Sequence, residues 1–339
     1  MPKLNRRQVI SGLVKAGIAA PFLNIGGAGA AEFSFKYGGI LSTEHPLTKG
    51  VTKAADQIRS ATNGRVDIQV FPNSQLGSEM DMLSQVRSGA LEFMTNSGLL
   101  LSSLVPAASI PGVAYAFGDY ADVWKAMDGE LGAYVRRNIE KANLVVFDRI
   151  WNSGFFNLMS SSKAIQTPGD VQGVKLRVPQ APMWISMYKA LNAAPAAISW
   201  GEVYTALQTK VVDGVDASLT AFNDAKLYEV QKNLTLTNHI WDGFWMLGNR
   251  RAFERLPADL RDVVAKAFNA AALVQRAEVE KTASDVVEQF TKRGIKVYRA
   301  DKAAFQEVLK NKQYYADWRA KFGEEAWSLL ERSIGKKLG

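Results

Sequence analysis

The residues best suited to chemistry in this chain lie in three blocks. GVKLRVP at 173–179 contains Arg177, SWGEVY at 199–204 contains Trp200, and ALQTKVVDG ends at Gly214. An arginine stays charged at any working pH and offers a planar fork of donors that matches a carboxylate. A fixed cation, a large aromatic ring and turn glycines indicate a site that holds a small organic anion rather than one that transforms it.

Arg177 lies in a short alternating pattern that is typical of a strand. Val174, Leu176 and Val178 are expected on one face, with Lys175 and Arg177 on the other. If the second face lines a cleft, the guanidinium meets a ligand there. A surface arginine on an edge strand fits the same pattern.

Trp200 precedes a predicted helix that begins at Gly201. Its ring could stack on the flat or apolar part of a ligand, or it could be a core residue, which is the commoner fate of tryptophan. We expect the helix to end at Gly214, with this glycine as its C-cap or in a turn that needs positive φ. Asp216 and Ser218 could then point into a cleft or cap the next helix.

The sequence offers little for covalent or metal chemistry. The absence of cysteine excludes disulfides, thiolate metal sites and cysteine catalysis. His45 and His239 are far apart, and no HExxH, nucleophile-elbow, P-loop or GxGxxG motif occurs. We interpret His239 as a structural hydrogen-bonding residue. The sequence therefore predicts no enzyme, no cofactor and no metal site.

Residues 1–31 have the features of an export signal. A positive start is followed by a mainly apolar stretch from Val9 to Ile25, and small residues ending at Ala30 form a cleavage site. The run NRRQVI at 5–10 resembles a twin-arginine signal. We predict export to the periplasm by that route. An N-terminal helix that stays attached is the alternative.

Composition indicates a globular protein with a large core. The chain has 339 residues, 47% of them hydrophobic and 22% charged, which favours two lobes over one. Without residues 1–31 it has 37 basic and 33 acidic residues, a net charge of +4. That excess is too small and scattered to indicate nucleic acid binding. No internal stretch reaches the roughly 18 apolar residues of a membrane span, so we do not expect a membrane-embedded protein.

The order of the predicted elements indicates a mostly parallel α/β sheet. Strands alternate with helices over the first third of the chain, which is the pattern of such sheets. The predicted elements are strands at 33–39, 65–71, 91–94, 144–151, 175–178, 215, 244–249 and 296–298, and helices at 48–63, 78–89, 117–142, 182–191, 201–209, 257–293 and from 303 onward.

Several blocks together resemble the solute-binding proteins of TRAP transporters, the DctP-type family. FPNSQLG at 71–77 and VRSGALE at 86–92 resemble the family's FPxxQLG and VRxGALD segments. The segments at 168–179, 200–214 and 237–239 follow in the same order. The resemblance covers nearly the whole chain after the leader.

This resemblance implies a two-lobed periplasmic-binding-protein fold, with a ligand cleft between the lobes and a long helix that spans both. The lobes are expected at 32–154 plus 243–282 and at 155–242 plus 283–339. The closed, ligand-bound form is expected to dock on TRAP membrane permease subunits.

The resemblance also implies ligand contacts. Arg177 matches the family arginine that pairs with the ligand carboxylate, and Trp200 matches an aromatic residue that flanks the ligand. Where relatives of the sugar-acid or dicarboxylate type often have a second arginine, this chain has Phe156 or Asn157. Few cations would match a dianion poorly. We therefore favour a monocarboxylate, such as a keto, hydroxy, sugar or aromatic acid. The predicted ligand-binding residues are Arg177, Trp200, Phe156, Asn157, Asn96, Ser97, Glu44, Pro179, Tyr204, Asp216, Ser218 and Trp241.

Two other kinds of protein fit the same pattern. One is a periplasmic enzyme, such as a lyase or isomerase, that acts on a similar acid. The other is a ligand-sensing partner of a membrane receptor.

Overall fold

The computed structural model describes residues 31–339. The predicted export signal lies outside these residues except for Ala31. The strands are β1 (Phe33–Gly38), β2 (Val66–Phe71), β3 (Phe93–Ser97), β4 (Leu144–Val146), β5 (Trp151–Ser160), β6 (Lys175–Val178), β7 (Ala194–Ala197), β8 (Gly214–Ser218), β9 (Asn233–Leu236), β10 (Trp241–Asn249) and β11 (Lys296–Arg299).

Helices follow most of these strands. They are α1 (Pro46–Ala61), α2 (Glu79–Ser88), α3 (Gly98–Leu101), α4 (Tyr120–Met127), α5 (Glu130–Lys141), α6 (Pro168–Val171), α7 (Pro182–Ala190), α8 (Val203–Gln208), α9 (Leu219–Asp224), α10 (Arg250–Glu254), α11 (Ala258–Lys292), α12 (Lys302–Asn311) and α13 (Tyr314–Ile334). Short 3₁₀ turns lie at Pro106–Gly112, Trp200–Glu202 and Leu227–Glu229.

One sheet connects both parts of the molecule. Its order is β2-β1-β3-β10-β5-β8-β6-β7, with β4 beside β10 and β9 between β5 and β11. We call β1–β4 with β10 the first half, and β5–β9 with β11 the second half. β1 is parallel to β2 and β3, and β6 is parallel to β7 and β8, as the strand–helix alternation predicted. The antiparallel pair of β5 and β10 joins the halves.

The long helix predicted at 257–293 is α11, which contains 35 residues. At 1.5 Å per residue it extends about 50 Å, so it can pack against both halves. It contacts α1 in the first half and α9 and β11 in the second. Near its middle, Gln275 receives the backbone N–H of Asn152 at 2.8 Å and donates to the Asn152 carbonyl at 2.7 Å. This amide satisfies both backbone groups of Asn152, close to the point where β5 meets β10.

The predicted strand at 144–151 was wrong in its length. β4 ends at Val146 and β5 begins at Trp151. Between them, Arg136 donates to the carbonyl of Asp148, and the N–H of Arg149 donates to Asn269. Side chains therefore form hydrogen bonds with backbone groups that, in a continuous strand, would bond to the neighbouring strand.

The predicted role of Gly214 as a helix C-cap was also wrong. Helix α8 ends at Gln208, and Lys210 takes the left-handed conformation with φ 59°. Gly214 instead begins β8, where a Cβ atom would lie 2.6 Å from the carbonyl oxygen of Met159. The glycine permits the close approach of β8 to β5.

None of the helices within residues 31–339 is both long and apolar enough to cross a lipid bilayer.

Replacing Gln275 with Met should destabilise the protein by about 2–4 kcal/mol, because the buried N–H and C=O of Asn152 lose their partner while side-chain volume is kept. Gln289→Met on the exposed face of the same helix is the matched control and should change stability by less than about 0.5 kcal/mol. Urea denaturation of both variants measures the difference. Equal effects would show that the Gln275 amide does not stabilise the junction.

Candidate functional site

Arg177 lies on β6 between two parallel neighbours, opposite Val215 of β8 and Ala196 of β7. β6 is therefore an interior strand, which excludes the alternative of a surface arginine on an edge strand. The side chain is 3% exposed. Its Nε donates to the carbonyl of Ile198 at 2.9 Å, and this is the protein hydrogen bond of its guanidinium among the described residues. Its terminal N–H groups make no hydrogen bond to the part of the chain that the structure describes.

Burial lowers the pKa of Arg177 to about 10, against the opposing effects of Asp216 and Glu79. The guanidinium therefore stays charged at neutral pH. Its central carbon lies 5.3 Å from the ring centroid of Trp200, within the range of a cation–π contact.

Arg177 and Trp200 line a cleft with a volume of about 350 Å³. Trp200 is only half-buried, so it is not a core residue. Pro179 lines the same cleft, as predicted from the sequence. The wall from the second half of the sheet also includes Gln180, and the wall from the first half includes Ser78 and Glu79.

Glu79 is the first residue of α2, whose N-cap is Ser78. It is 9% exposed, and its Oε1 accepts the backbone N–H of Ser97 at 3.2 Å. Burial raises the pKa of Glu79 to about 7; the Ser97 hydrogen bond lowers it, nearby Asp242 raises it further, and Arg177 lowers it. A carboxyl group in this wall is therefore poised to change charge near neutral pH.

Two predicted residues, Asn96 and Ser97, lie beneath Glu79. Asn96 is fully buried; its Nδ2 is 3.5 Å from the Glu79 carbonyl, and its Oδ1 has no hydrogen-bond partner among the described residues. The Ser97 hydroxyl donates to Asp242. Burial raises the pKa of Asp242 to about 7, although Ser97 and the backbone amides of Gly98 and Gly243 lower it. The residues next to Glu79 in this wall are thus buried and polar, and Asp242 among them is acidic.

Asp216 lies on β8, beside the strand of Arg177, and is fully buried. Its Oδ2 accepts from the indole N–H of Trp184 at 2.6 Å and from the Tyr188 hydroxyl at 2.7 Å. The Nε2 atom of His239 is 3.1 Å from the same oxygen. His239 is therefore a buried, hydrogen-bonded residue, as the sequence predicted. These hydrogen bonds hold Asp216 in place, and its negative charge acts on Arg177.

Asn96, Ser97 and Asp216 are not among the residues that line the cleft, and neither are the remaining predicted residues. Phe156 packs on Trp184, with ring centroids 4.7 Å apart. Trp241 is buried and donates to Asn152. Tyr204 donates to Glu229 on the surface, and the exposed Glu44 pairs with Lys49. Asn157 and Ser218 line a separate cavity of about 250 Å³ beside α11. Their roles in ligand binding stay predictions.

Sequence reasoning missed Glu79 and Gln180. Ser78 and Asp81 have the spacing of a capping box at the start of the helix predicted at 78–89, and the box is present. That spacing was the available signal for Glu79.

The two walls also touch beyond the cleft lining. Ser42, which follows β1, donates its backbone N–H to Asp224 at 3.1 Å, and its hydroxyl donates to the other carboxylate oxygen. Asp224 ends α9 in the second half of the sheet. This contact joins segments that belong to different halves of the sheet.

Within residues 31–339, no group of three or more His, Cys, Asp or Glu side chains is arranged to hold a metal ion.

Two α/β halves, joined by crossing strands and a long helix, with a buried arginine in the cleft between them, define a two-lobed solute-binding protein. The chain belongs to family 7 of the bacterial extracellular solute-binding proteins, the DctP family, whose sequence model matches residues 37–320. It is a DctP-type TRAP solute-binding protein.

Individual relatives agree with this assignment. A TRAP periplasmic solute-binding protein from Sulfurospirillum deleyianum, solved with succinate, is 29% identical with a TM-score of 0.85 and covers 91% of this chain and 100% of its own. One from Xanthobacter autotrophicus, solved with β-D-galacturonate, is 27% identical with a TM-score of 0.83, covering 89% and 100%. The uncharacterized protein y4mM of Sinorhizobium fredii is 35% identical over 262 residues, which are 77% of this chain and about half (48%) of that protein.

The raised pKa of Glu79 has a consequence for stability. Its folded pKa of about 7 exceeds the usual 4.5, so the folded state binds more protons than the unfolded state between these values. The stability from this group is present below pH 4.5 and is lost as pH rises through 7. Glu79→Gln should therefore gain about 1–3 kcal/mol relative to the wild type between pH 5 and pH 8, measured by urea denaturation. A constant difference would contradict the raised pKa.

Proposed function

We propose that this protein captures a small organic acid in the periplasm, binds its carboxylate through Arg177, and delivers it to TRAP membrane permease subunits. The observation that carries the proposal is a buried guanidinium that lines the cleft and whose terminal N–H groups make no hydrogen bond within residues 31–339. A carboxylate would satisfy those donors in pairs, which is the strongest geometry available to an arginine. Relatives solved with succinate and galacturonate support an acid as the ligand.

We infer that a monocarboxylate binds better than a dicarboxylate. Arg177 is the cation among the residues that line the cleft, and Glu79, Asp81 and Glu202 line it as well. A second carboxylate would therefore find no partner of opposite charge in this lining. The half-buried Trp200 offers a flat apolar surface to the body of the ligand.

Capture by closure is also part of the proposal. We take residues 32–154 plus 243–282 as one lobe and 155–242 plus 283–339 as the other, which open and close about the β5–β10 junction. A ligand favours the closed form only by the affinity difference between the two forms. The Ser42–Asp224 contact joins these lobes and would add to the stability of the closed form without touching the ligand.

Binding without catalysis fits the cleft chemistry. The Ser78 hydroxyl in the lining donates to Asp81 at 2.7 Å, but both groups form the capping box that starts α2, so we do not expect this serine to act as an activated nucleophile. An enzyme or a receptor-linked sensor for a similar acid are the alternatives. Incubation with candidate acids followed by a search for a new product tests the first. We further propose export by the twin-arginine route, from the NRRQVI run at 5–10.

Arg177→Ala should weaken acid binding by about 3 kcal/mol or more, because a buried carboxylate loses its bidentate partner. Arg177→Lys should recover only part of the affinity, since an ammonium lacks the planar fork. Calorimetry with D-glucuronate and D-erythronate measures both. Lys175→Ala, an exposed residue of the same strand, is the control. Unchanged affinity in Arg177→Ala would remove the arginine from the site.

Ser42→Ala should weaken binding by about fivefold through the closed population, because one hydrogen bond to a half-buried carboxylate contributes about 1 kcal/mol. The loss should appear mainly as faster dissociation in stopped-flow experiments. Thr43→Ala, an exposed neighbour, is the control. A double-mutant cycle with Asp224→Ala should show the two losses to be non-additive. Additive losses would mean that the contact does not contribute to closure.

A further inference from the structure

The cleft lining contains more acidic than basic residues. Arg177 is basic, whereas Glu79, Asp81 and Glu202 are acidic. When the carboxylate of a ligand pairs with Arg177, the rest of the ligand therefore faces acidic groups. Which chemical group the cleft accepts at the far end of the ligand depends on which of these acidic side chains is shielded from water.

Glu79 is the acidic lining residue that is removed from water, with 9% of its surface exposed. Glu202 is exposed, so water and salt screen its charge. The carboxylate of Asp81 accepts the N–H and hydroxyl of Ser78 in the capping box at 2.9 and 2.7 Å. Of these three carboxylates, Glu79 acts on a ligand with the least screening.

The contacts of Glu79 leave one carboxylate oxygen for a ligand. Its Oε1 accepts from Ser97, and none of the hydrogen bonds within residues 31–339 engages its Oε2. The carboxyl group lies near enough to Arg177 that each affects the pKa of the other. A ligand held by Arg177 therefore has Glu79 as a neighbour.

Building on the proposed function, we propose that Glu79 is the specificity-determining residue of the cleft. It selects acids that present a hydroxyl or another hydrogen-bond donor at the end away from the carboxylate bound by Arg177, and it rejects acids with a second carboxylate there. A donor completes the hydrogen bonding of Glu79 Oε2. A carboxylate at that position meets a like charge in a buried site, which is a repulsive basis for specificity.

The same geometry makes the selection depend on pH. The groups around Glu79 are Tyr37 of β1, Ser97 and Asn96 of β3, Asp242 of β10, Arg177 of β6, and Ser78 and Asp81 at the start of its own helix. The pKa of Glu79 is about 7, so below that pH the group is protonated and can donate to a second carboxylate. Asp242 titrates in the same range, but its carboxyl group is engaged by Ser97 and backbone amides. Selection against diacids should weaken as pH falls.

The test uses pairs of acids that differ only at the far end, where a terminal CH₂OH in one is a carboxylate in the other. These pairs are D-gluconate with D-glucarate, and D-erythronate with meso-tartrate. Calorimetry at pH 8 should give a preference for the hydroxyl-terminated acid of at least about tenfold in the wild type. Glu79→Gln should reduce this preference by about tenfold, because the amide has no charge and can donate. Glu278→Gln, which removes the same charge from an exposed position outside the cleft lining, should change it by less than about twofold.

The second measurement needs no variant. In the wild type, the preference should fall between pH 8 and pH 6, while the probe carboxylates stay ionised. Equal preferences in wild type and Glu79→Gln, equal shifts in the two variants, or a preference for the diacid in the wild type would each overturn the role of Glu79. If the wild type bound none of the four acids, and if Arg177→Ala changed the binding of no acid tested, the proposed function itself would be overturned.

Discussion

A guanidinium withdrawn from water is the constraint on which the rest of this structure depends. Burial disfavours the charged form of Arg177, and the protein compensates with three kinds of partner. The Ile198 carbonyl takes one N–H, the Trp200 ring lies over the cation, and Asp216 supplies a negative charge from the protein side. Asp216 itself is held by Trp184, Tyr188 and His239. The arginine thus keeps its charge and a fixed direction before any ligand arrives.

Such a cation is useful only if the opposite wall meets it at a defined distance. The two walls are carried by different halves of the sheet, and β5 and β10 are the strands that join them. Gln275 of the long helix satisfies the backbone of Asn152 near this junction, and Arg276 pairs with Asp128 and the Ile150 carbonyl. Buried, fully paired polar contacts of this kind specify one geometry more strictly than apolar packing does.

The sequence was sufficient for most of the fold because periodicity is a local property. The strand at 175–178 and the helix at 257–293 follow directly from the spacing of their apolar residues. The pattern failed where a distant residue decides the outcome: Asn269 and Arg136 interrupt the strand predicted at 144–151, and the close approach of Met159 explains Gly214.

The site residues also divide into those that a local sequence pattern indicates and those whose surroundings depend on distant residues. Arg177 and Trp200 could be predicted because their types and neighbours indicate a role, whereas the burial of Glu79 could not, since it depends on β3 and β10. Likewise, Trp184 and Trp241 resemble Trp200 in sequence, yet they lie in the core with their N–H groups paired. Whether a side chain is buried depends on how the two halves of the sheet assemble, which the local sequence does not show.

The asymmetry of the cleft suggests how one scaffold can serve different acids. An arginine that binds a carboxylate does not distinguish acids by the rest of their structure, so selectivity must arise from the opposing wall. In this chain that wall presents a helix start with an acidic first residue, supported by Ser97 and above the buried Asp242. Because the supporting groups are themselves buried and hydrogen-bonded, Glu79 cannot turn away from an unsuitable ligand at low cost. We therefore propose that this wall is a fixed filter, whose charge sets which acids allow the two lobes to close.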